Sequence, residues 1–323
     1  MKITFIYNTP HPVHKAWAES IKAKFVSDRA EGKLNLRNIK RFVKSFTTIL
    51  KIPKDTDLLL CEGGSQFLTG ALWKHRNKER KLVGIVSDPK LYYYKFMTKT
   101  KRKLYLWTLK KFDLLIPTSP MMESLIPKPV KAKIKVVFPF VDIKRHTAKV
   151  KERENNTVIF VGRIGKEKGA DNTIKAFEIV KKRFPNAKLY MVGFGSLQKQ
   201  LEERKINGVV FTGWANKPEE YIRKGTIIIS LARIEPAGIA ILEGMCAGLV
   251  PVVSKGAGNN YIVEKAGKEL VVENSSQAAK TIIGLFNDNK KRISYAKKAQ
   301  KIVKNYTKEK SIEAFRKAIE SME

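Results

Sequence analysis

Cysteine is scarce in this sequence, and long apolar runs are absent. Cys61 and Cys246 are its only two cysteines, and they lie in different halves of the chain without a C-x-x-C spacing. This pattern argues against a disulfide framework or a cysteine zinc site and favours buried thiols in a reducing compartment. No apolar stretch approaches the ~20 residues that cross a bilayer, and the N-terminal run MKITFIYNTP is too short for a signal peptide core. We therefore expect a cytoplasmic protein, with peripheral attachment to the inner membrane face left open.

Acidic residues are also few. The chain has 30 Asp and Glu residues against 64 Lys and Arg residues, which gives a formal net charge of +34. Such an excess predicts an anionic partner larger than one nucleotide, namely nucleic acid, an anionic membrane surface or a polyanionic acceptor. A lysine-rich, solvated surface would give the same numbers without any partner. The composition alone leaves the function open.

The order of the apolar runs predicts an α/β fold with two domains. Short β-branched runs alternate with longer amphipathic stretches, which is typical of βα units on parallel sheets. The 323 residues suffice for two domains of roughly 150 residues each. We predict two Rossmann-like, doubly wound domains that face each other across a cleft at the carboxyl ends of their strands. The predicted boundaries are 1–142 for the first domain, 143–156 for a linker and 157–308 for the second, with a last helix at about 309–323 packing back on the first.

The individual elements follow from the same pattern. In the first half we predict strands at Ile3–Tyr7, Leu58–Cys61, Leu82–Val86, Leu114–Pro117 and Ile134–Phe138, and helices at Lys15–Val26, Ile39–Leu50, Ser65–Lys74 and Tyr92–Lys111. In the second half the strands are Val158–Val161, Lys188–Val192, Val209–Thr212, Ile227–Leu231, Pro251–Val253 and Glu269–Val272, and the helices are Ala170–Arg183, Ser196–Lys205, Pro218–Lys224 and Ile239–Ala247. From about Ser276 to the end the pattern is helical only.

Two glycine turns in the second half have the residue types of a phosphate site. Gly162-Arg163 and Lys168-Gly169 lie between a predicted strand and a predicted helix. Free backbone N–H groups and two cations at such a place favour a phosphate. Gly193-Phe194-Gly195 follows the next predicted strand, but Gln198 stands where a dinucleotide fingerprint has its third glycine. A tight strand-to-helix turn is the favoured interpretation of this second motif.

Two glutamates, Glu235 and Glu243, stand eight residues apart around a predicted helix start. A helix that begins near Ala237 would place Glu235 in the loop before it and Glu243 about two turns along. The N–H groups of Gly238–Ala240 and the positive end of the helix would then favour a diphosphate in the cleft. The alternative is structural, with Glu235 as a partner of the helix dipole and Glu243 as a solvated helix residue.

In this context the chain resembles a known family. Glu235-x7-Glu243, followed by Gly244-Met245-Cys246-Ala247-Gly248, is similar to the E-x7-E block of glycosyltransferase family 4, retaining enzymes with the GT-B fold. Further blocks resemble the family in the same order: Phe112–Ser119, Val137–Asp142, Val161–Gly169, Val192–Gly195, Phe211–Trp214 and Ser254–Asn259. The resemblance covers about residues 112–272, and several blocks in register are more specific than any one of them.

The resemblance implies an activity and a site. The donor would be a nucleotide-diphosphate sugar and the acceptor a hydroxyl, with retention of configuration and with no metal or other cofactor. Arg163 and Lys168 would offset the charge of the leaving diphosphate. Glu235 would contact the donor sugar near its reacting carbon, and Glu243 would hold the ribose hydroxyls. The other donor-binding residues would be Gly162, Gly193, Gly195, Trp214, Ala237, Gly238, Ile239 and Ala240.

The first domain departs from the family pattern. Its first βα loop, Asn8–His14, contains two prolines where the family is usually rich in glycine, and Ser87-Asp88-Pro89 stands where family members often have a histidine. We assign Pro10 and His11 to the acceptor side, with a loop cap as the alternative for His11, and expect Asp88 to orient the sugar or the acceptor hydroxyl. A cap at the start of a helix is an equal alternative for Asp88.

The positive charge is concentrated between Gly70 and Lys111. Thirteen Lys and Arg residues stand there against Glu79 and Asp88, and seven aromatic residues are interleaved: Trp73, Tyr92, Tyr93, Tyr94, Phe96, Tyr105 and Trp107. This mixture favours an anionic membrane surface, which would present a lipid-linked acceptor. Nucleic acid, or a core of aromatics under solvated lysines, stays as an alternative.

Two other functions remain open at this point. A degenerate fold of this kind would serve as a basic nucleic-acid or surface-binding module, and a nucleotide-sugar epimerase would use the same donor site. The intact spacing of Arg163, Lys168, Glu235 and Glu243 weighs against degeneracy.

Overall fold

The computed structural model describes residues 1–9, 11–28, 47–148 and 156–322. The chain divides into two compact units, Met1–Pro139 together with Glu309–Glu323, and Phe140–Lys308. Each unit is built on a six-stranded sheet, and every strand pairing recorded in these two sheets is parallel. Parallel strands are covered by helices on both faces, which explains why the central strands are nearly continuous apolar runs.

The sheet of the first unit has the order β2-β1-β3-β4-β5-β6. Its strands are β1 Ile3–Tyr7, β2 Lys24–Ser27, β3 Leu58–Glu62, β4 Lys81–Val86, β5 Leu114–Pro117 and β6 Lys133–Ile134. The helices bounded within the described residues are Pro12–Ser20, Gln66–Arg76, Lys90–Tyr93, Lys99–Leu109 and Pro120–Ser124, with a short 3₁₀ turn at Tyr94–Phe96. Residues 47–51 are also helical.

The last helix, Lys308–Glu320, contributes to the core of the first unit. Its Phe315 stacks on Trp17 with ring centroids 5.2 Å apart, and both side chains are fully buried. The indole N–H of Trp17 donates a hydrogen bond to Ser311 Oγ at 3.0 Å. A buried indole N–H needs a hydrogen-bond partner, so this contact fixes the last helix against the helix Pro12–Ser20.

The sheet of the second unit has the order β12-β11-β10-β7-β8-β9. Its strands are β7 Thr157–Val161, β8 Lys188–Val192, β9 Val209–Gly213, β10 Ile227–Ser230, β11 Val250–Ser254 and β12 Val271–Val272. Its helices are Ile143–His146, Ala170–Arg183, Gln198–Glu202, Pro218–Ile222, Ile239–Cys246, Asn260–Glu264, Ser275–Asn287 and Asn289–Val303, with a 3₁₀ turn at Lys268–Leu270.

The predicted helix Lys15–Val26 is wrong in its second half. The helix ends at Ser20, Lys22 has a positive φ of 53°, and Lys24–Ser27 forms β2, which pairs with β1. The short run Ala23–Val26 fits either element locally, and pairing with a neighbouring strand decides between them.

Other predicted segments also differ from the structure. The predicted strand Glu269–Val272 is shortened to Val271–Val272 by the 3₁₀ turn Lys268–Leu270, and the predicted helix Ser196–Lys205 is shortened to Gln198–Glu202. The predicted helix Tyr92–Lys111 is broken at Met97, whose extended ψ of 149° ends the 3₁₀ turn before the helix Lys99–Leu109 begins. The predicted strand Ile134–Phe138 is shortened to Lys133–Ile134. The predicted linker 143–156 begins with the helix Ile143–His146, which Asp142 caps through a hydrogen bond from the Arg145 N–H at 3.0 Å. Residues 149–155 of that linker, and residues 39–46 of the predicted helix Ile39–Leu50, lie outside the described residues.

Among the described residues, no helix has the length and apolar character that crossing a membrane requires. Both cysteines are free and buried.

Candidate donor-binding site

A pocket of about 510 Å³ lies in the second unit, where β7, β8 and β9 end. These three strands are parallel neighbours, so their carboxyl ends share one edge of the sheet, where such sheets bind ligands. The pocket is lined by Val161, Gly162, Arg163, Lys168, Val192, Gly193, Phe194, Gly195, Trp214, Ala215 and Pro218. Six predicted site residues therefore surround one pocket: Gly162, Arg163, Lys168, Gly193, Gly195 and Trp214.

Direct backbone contacts hold the turns of this pocket together. The Gly162 N–H donates to the Val192 carbonyl at 2.9 Å, and the Ile164 N–H donates to the Phe194 carbonyl at 3.0 Å. Gly193 has a φ of 131°, and a Cβ there would stand 2.1 Å from the Gly162 carbonyl oxygen. A side chain at Gly193 would therefore force the two turns apart. The interpretation of Gly193-Phe194-Gly195 as a tight turn agrees with this packing.

The two predicted cations have different surroundings. Lys168 forms an ion pair with Glu235, and their side chains are only 26% and 16% exposed. Arg163 is 72% exposed and has Glu167 as its neighbour, with 3.6 Å between Arg163 Nη1 and Glu167 Oε1. Lys168 is thus held in place at the pocket wall, whereas most of the Arg163 side chain is exposed at the pocket edge.

The loop around Glu235 is positioned by the small-residue segment that follows β11. The Glu235 N–H donates to the Gly256 carbonyl at 2.9 Å, and the Gly258 N–H donates to the Glu235 carbonyl at 2.7 Å. A Cβ at Gly258 would stand 2.0 Å from the Pro236 carbonyl oxygen, so only glycine fits beneath this loop. These contacts hold the Glu235 carboxylate at Lys168.

The helix that carries Glu243 begins at Ile239, as predicted, and ends at Cys246, one residue before its predicted end. Gly238 adopts the left-handed conformation (φ 70°) directly before it, so Ala237 lies outside the helix. Asn259, whose side chain is fully buried, donates from Nδ2 to the Gly238 carbonyl at 2.7 Å. Among the predicted donor-binding residues, Ala237, Gly238, Ile239 and Ala240 form this helix start and do not line the 510 Å³ pocket.

Glu243 lies against His146 of the short helix Ile143–His146. Glu243 Oε1 is 3.5 Å from His146 Nε2, and the two side chains are 22% and 5% exposed. Burial raises the pKa of Glu243 to about 7, and burial together with the charge of Arg145 lowers the pKa of His146. Both shifts favour the neutral forms, so this contact is weaker than an ion pair. The Nδ1 atom of His146 is buried without a hydrogen-bond partner in the described part of the chain.

In the first unit Asp88 makes structural hydrogen bonds. Its carboxylate accepts from the Gly64 N–H, and Oδ1 accepts from the Lys90 N–H at 2.8 Å, at the start of the helix Lys90–Tyr93. These contacts join the loop after β4 to the loop after β3, whereas the cap position of the helix itself is Pro89.

His11 caps a helix, and Pro10 lies outside the described residues. The His11 Nδ1 atom accepts from the Val13 N–H at 3.3 Å, and the His11 N–H donates to Glu62 Oε1 at 3.1 Å. Glu62 is also 2.5 Å from His14 Nδ1, and His14 is buried. Sequence analysis missed this Glu62–His14 pair because the residues are far apart in the chain. The available signal was Glu62-Gly63-Gly64 directly after a strand on the same sheet edge as the loop Asn8–His14.

Sequence analysis also missed Phe194 as part of an exposed aromatic pair. Phe194 and Trp214 are 58% and 74% exposed, and their ring centroids are 6.0 Å apart in an edge-on arrangement. The Trp214 indole N–H donates to Asn216 Oδ1 at 3.0 Å. Two large exposed rings at the edge of a pocket offer faces to a planar ligand. Among the described residues, no group of three His, Cys, Asp or Glu side chains is placed to hold a metal ion.

Fold and pocket together define the class of this protein. Two α/β units on parallel sheets, the second with a ligand-sized pocket at its strand ends, are the architecture of a GT-B protein. HepE from Anabaena, solved in complex with UDP and glucose, superposes with a TM-score of 0.81 at 16% identity, over 99% of this chain and 100% of that chain. At this identity the likeness concerns the fold, and the predicted two-domain α/β GT-B fold is confirmed.

Sequence comparisons find similarity to glycosyltransferases. Residues 142–302 match the model of glycosyl transferases group 1. The chain is 28% identical over 320 residues to the uncharacterized glycosyltransferase MJ1069 of Methanocaldococcus jannaschii, covering 89% of this chain and 80% of that one. It is 26% identical over 178 residues to the poly(glycerol-phosphate) alpha-glucosyltransferase of Bacillus subtilis, covering 52% of this chain but 26% of that enzyme. The match to glycosyl transferases group 1 thus falls within the second unit.

Proposed function

We propose that this protein transfers a hexose from a nucleoside-diphosphate sugar to a hydroxyl acceptor, with retention of the anomeric configuration and without a metal ion, as the resemblance to glycosyltransferase family 4 implies. The observation that carries the proposal is the pocket of the second unit. There Lys168, held by Glu235, stands beside two backbone turns and an exposed aromatic pair. A cation, free space and ring faces in one pocket match the diphosphate and the base of such a donor.

Lys168 and Arg163 stabilise the leaving group in this proposal. Breaking the bond between sugar and diphosphate builds negative charge on the departing phosphate. Lys168 is partly buried, and a charge in such a place acts through a lower effective dielectric than a charge in water. Arg163 is free to turn onto the second phosphate because most of its side chain is exposed. With two cations in these roles, the reaction needs no metal ion to offset the charge.

The carboxylates have separate roles in the proposal. Glu235, fixed by the backbone of Gly256 and Gly258, contacts the donor sugar near the reacting carbon and keeps Lys168 in position. Glu243 binds the ribose hydroxyls, and with a pKa near 7 it is present in both forms at neutral pH, so that it accepts hydrogen bonds and donates one when protonated. The N–H groups of Gly238–Ala240 and the start of the helix Ile239–Cys246 favour the diphosphate.

The acceptor belongs to the first unit. His11, Pro10 and Asp88 are its proposed residues; Asp88 keeps free lone pairs for a hydroxyl because a carboxylate accepts more than the two bonds it already makes. One relative is a poly(glycerol-phosphate) alpha-glucosyltransferase. A net charge of +34 suits an anionic acceptor of this general kind, whether a free polymer or a lipid-linked glycan.

Donor binding tests the proposal directly. UDP-, GDP-, ADP- and dTDP-sugars are added to the protein, and the unfolding temperature is recorded for each. A donor at a hundred times its dissociation constant adds about 2.7 kcal/mol to the stability of the folded state. We expect one base class to raise the unfolding temperature, Lys168→Ala to abolish that rise, and Lys166→Ala, an exposed neighbour outside the pocket lining, to leave it unchanged.

Measurements of turnover test retention of configuration and metal independence. With the donor so identified, NMR of the product should show the anomeric configuration of the donor, and chelation with EDTA should leave the rate unchanged. An inverted product would overturn retention, and a rate lost in EDTA and restored by a divalent cation would overturn metal independence. If no nucleotide sugar shifts the unfolding temperature, the donor site itself is wrong.

A further inference from the structure

The basic, aromatic segment of the first unit exposes only part of its apolar side chains. Trp73 is buried at 3% exposure, so this ring belongs to the core. Tyr93, Phe96 and Leu104, in contrast, are 44%, 69% and 47% exposed. These three residues and the exposed lysines among them define a region that we call the 93–104 surface.

The charge of the 93–104 surface is of one sign. From Pro89 to Phe112 the chain has eight Lys or Arg residues and no Asp or Glu. Lys95, Lys99 and Lys103 are exposed, and none of them has a carboxylate partner within the described part of the chain. The Lys95 ammonium lies 5.1 Å from the centre of the Phe96 ring, so cation and ring are presented together.

A hollow (a small surface pocket) beside these residues is lined by side chains suited to bind an anion. It has a volume of about 250 Å³ and is lined by Tyr94, Lys99, Arg102, Lys103 and Leu106. Lys99 and Lys103 are one turn apart on the helix Lys99–Leu109, so both ammonium groups extend on the same side. Three cations with one phenol and one aliphatic wall fit a phosphate headgroup with the start of its acyl chains.

The exposed apolar side chains decide between two anionic macromolecules. Nucleic acid stacks its bases on flat rings, and Leu104 has no ring to offer. A bilayer interface accepts aliphatic and aromatic side chains at headgroup depth and attracts flanking lysines when its lipids are anionic. Because Phe96 and Leu104 are exposed beside unpaired lysines, the combination fits a bilayer better than a nucleic acid.

We propose that the 93–104 surface binds an anionic lipid bilayer, with a phosphate headgroup in the hollow between Lys99, Arg102 and Lys103 and with Phe96 and Leu104 in the interface. The inference rests on the proposed function for its purpose, because a membrane-bound enzyme meets a lipid-borne acceptor. Binding itself requires no turnover. Contact with the bilayer in this way is peripheral, since the described helices do not cross it.

The test is co-sedimentation of the full chain with vesicles of phosphatidylcholine alone and with vesicles that also contain phosphatidylglycerol. We expect binding to the anionic vesicles only. Lys99→Glu/Lys103→Glu should weaken it by at least about tenfold, since each cation at the surface contributes favourably. The matched control is Lys297→Glu/Lys301→Glu, which makes the same charge change at the same spacing on exposed positions of the helix Asn289–Val303 and should bind like the wild type.

A second pair of variants tests insertion at constant charge. Phe96→Ser and Leu104→Ser should each weaken vesicle binding severalfold, whereas Ile179→Ser, at a 39% exposed position of the second unit, should not. Absence of binding to anionic vesicles overturns the proposal. A second result also overturns the proposal, in favour of a site for polyanions in general. In that case the wild type and Leu104→Ser bind single-stranded RNA equally, and substitutions at Phe96 and Leu104 leave vesicle binding unchanged. Lys168→Ala should keep vesicle binding, so a failed donor site and a failed membrane surface are distinguishable.

Discussion

The ion pair between Lys168 and Glu235 should reveal itself differently in stability and in catalysis. Lys168→Met leaves the Glu235 carboxylate, 16% exposed, without its cation. Removing one partner of a fully buried pair costs about 3–5 kcal/mol, whereas exposed pairs contribute at most about 1 kcal/mol. Both side chains are partly buried, so the cost for this pair should lie between these two values. We expect Lys168→Met and Glu235→Gln each to lower the free energy of unfolding by about 2 kcal/mol.

The double variant isolates the interaction energy between Lys168 and Glu235 from their contacts with other residues. Lys168→Met/Glu235→Gln removes both charges, so no uncompensated charge remains at the pocket wall. Its loss of stability should be smaller than the sum of the two single losses by about 1–2 kcal/mol. Urea unfolding measures all four proteins, and the slope m should stay constant across them if only the folded state changes. Lys168→Met alone is to be compared with Lys166→Met, an exposed lysine outside the pocket lining.

Catalysis should not follow stability in this cycle. If Lys168 offsets the charge of the leaving diphosphate, its loss costs on the order of a hundredfold to a thousandfold in kcat, as for the loss of an oxyanion donor. The double variant should therefore be more stable than the additive expectation and still be inactive. Wild-type kcat in Lys168→Met would refute the catalytic role, and strictly additive stabilities, within about 0.5 kcal/mol, would refute the ion pair as a structural contact.

Three further predictions concern the pocket and Glu243. Gly193→Ala, whose methyl group would stand 2.1 Å from a carbonyl oxygen, should lower stability by roughly 2 kcal/mol more than Gly213→Ala, where a Cβ meets nothing within 4 Å; equal losses in urea unfolding would contradict this. Trp214→Ala, at a 74% exposed position, should weaken donor binding about tenfold in calorimetry, because the base of the donor loses the ring on which it stacks. The free energy of unfolding should stay unchanged. Burial raises the pKa of Glu243 from 4.5 to about 7, so its contribution to stability is complete below the unfolded pKa and is lost as the pH rises through about 7. The stability of the wild type relative to Glu243→Gln should thus fall by on the order of 2–3 kcal/mol across that range, and a pH-independent difference would exclude the raised pKa.

Much of the second unit could be predicted from the sequence because its local signals agree. The helix Ala170–Arg183 has the predicted bounds, and β7 and β8 lie within one residue of theirs. Apolar runs of strand length that end at glycine leave little choice of element. The helix Ile239–Cys246 also begins at its predicted residue, directly after Gly238, whose left-handed conformation Asn259 supports from another loop.

Contacts between distant segments set the limit of sequence analysis. The pairing of Lys24–Ser27 with β1 overrides a local pattern that fits a helix. His146 and Glu243 meet because two helices of the second unit pack together, and neither helix has a pattern that indicates the other. The shifted pKa of Glu243 follows from that burial, so it too was inaccessible from the E-x7-E spacing.

The glycines of the pocket separate what the fold requires from what a ligand would require. Gly193 and Gly195 are accounted for by packing, since a Cβ at either would stand 2.1 or 2.4 Å from a carbonyl oxygen of the neighbouring turn. Gly162 is different: a Cβ there meets nothing within 4 Å, although the residue lines the pocket. Its φ of 148° favours glycine, but no atom of the described residues fills the space beside it. That space adjoins Arg163 and Lys168, and a diphosphate that approaches the backbone at Gly162 would use the room that a side chain would take.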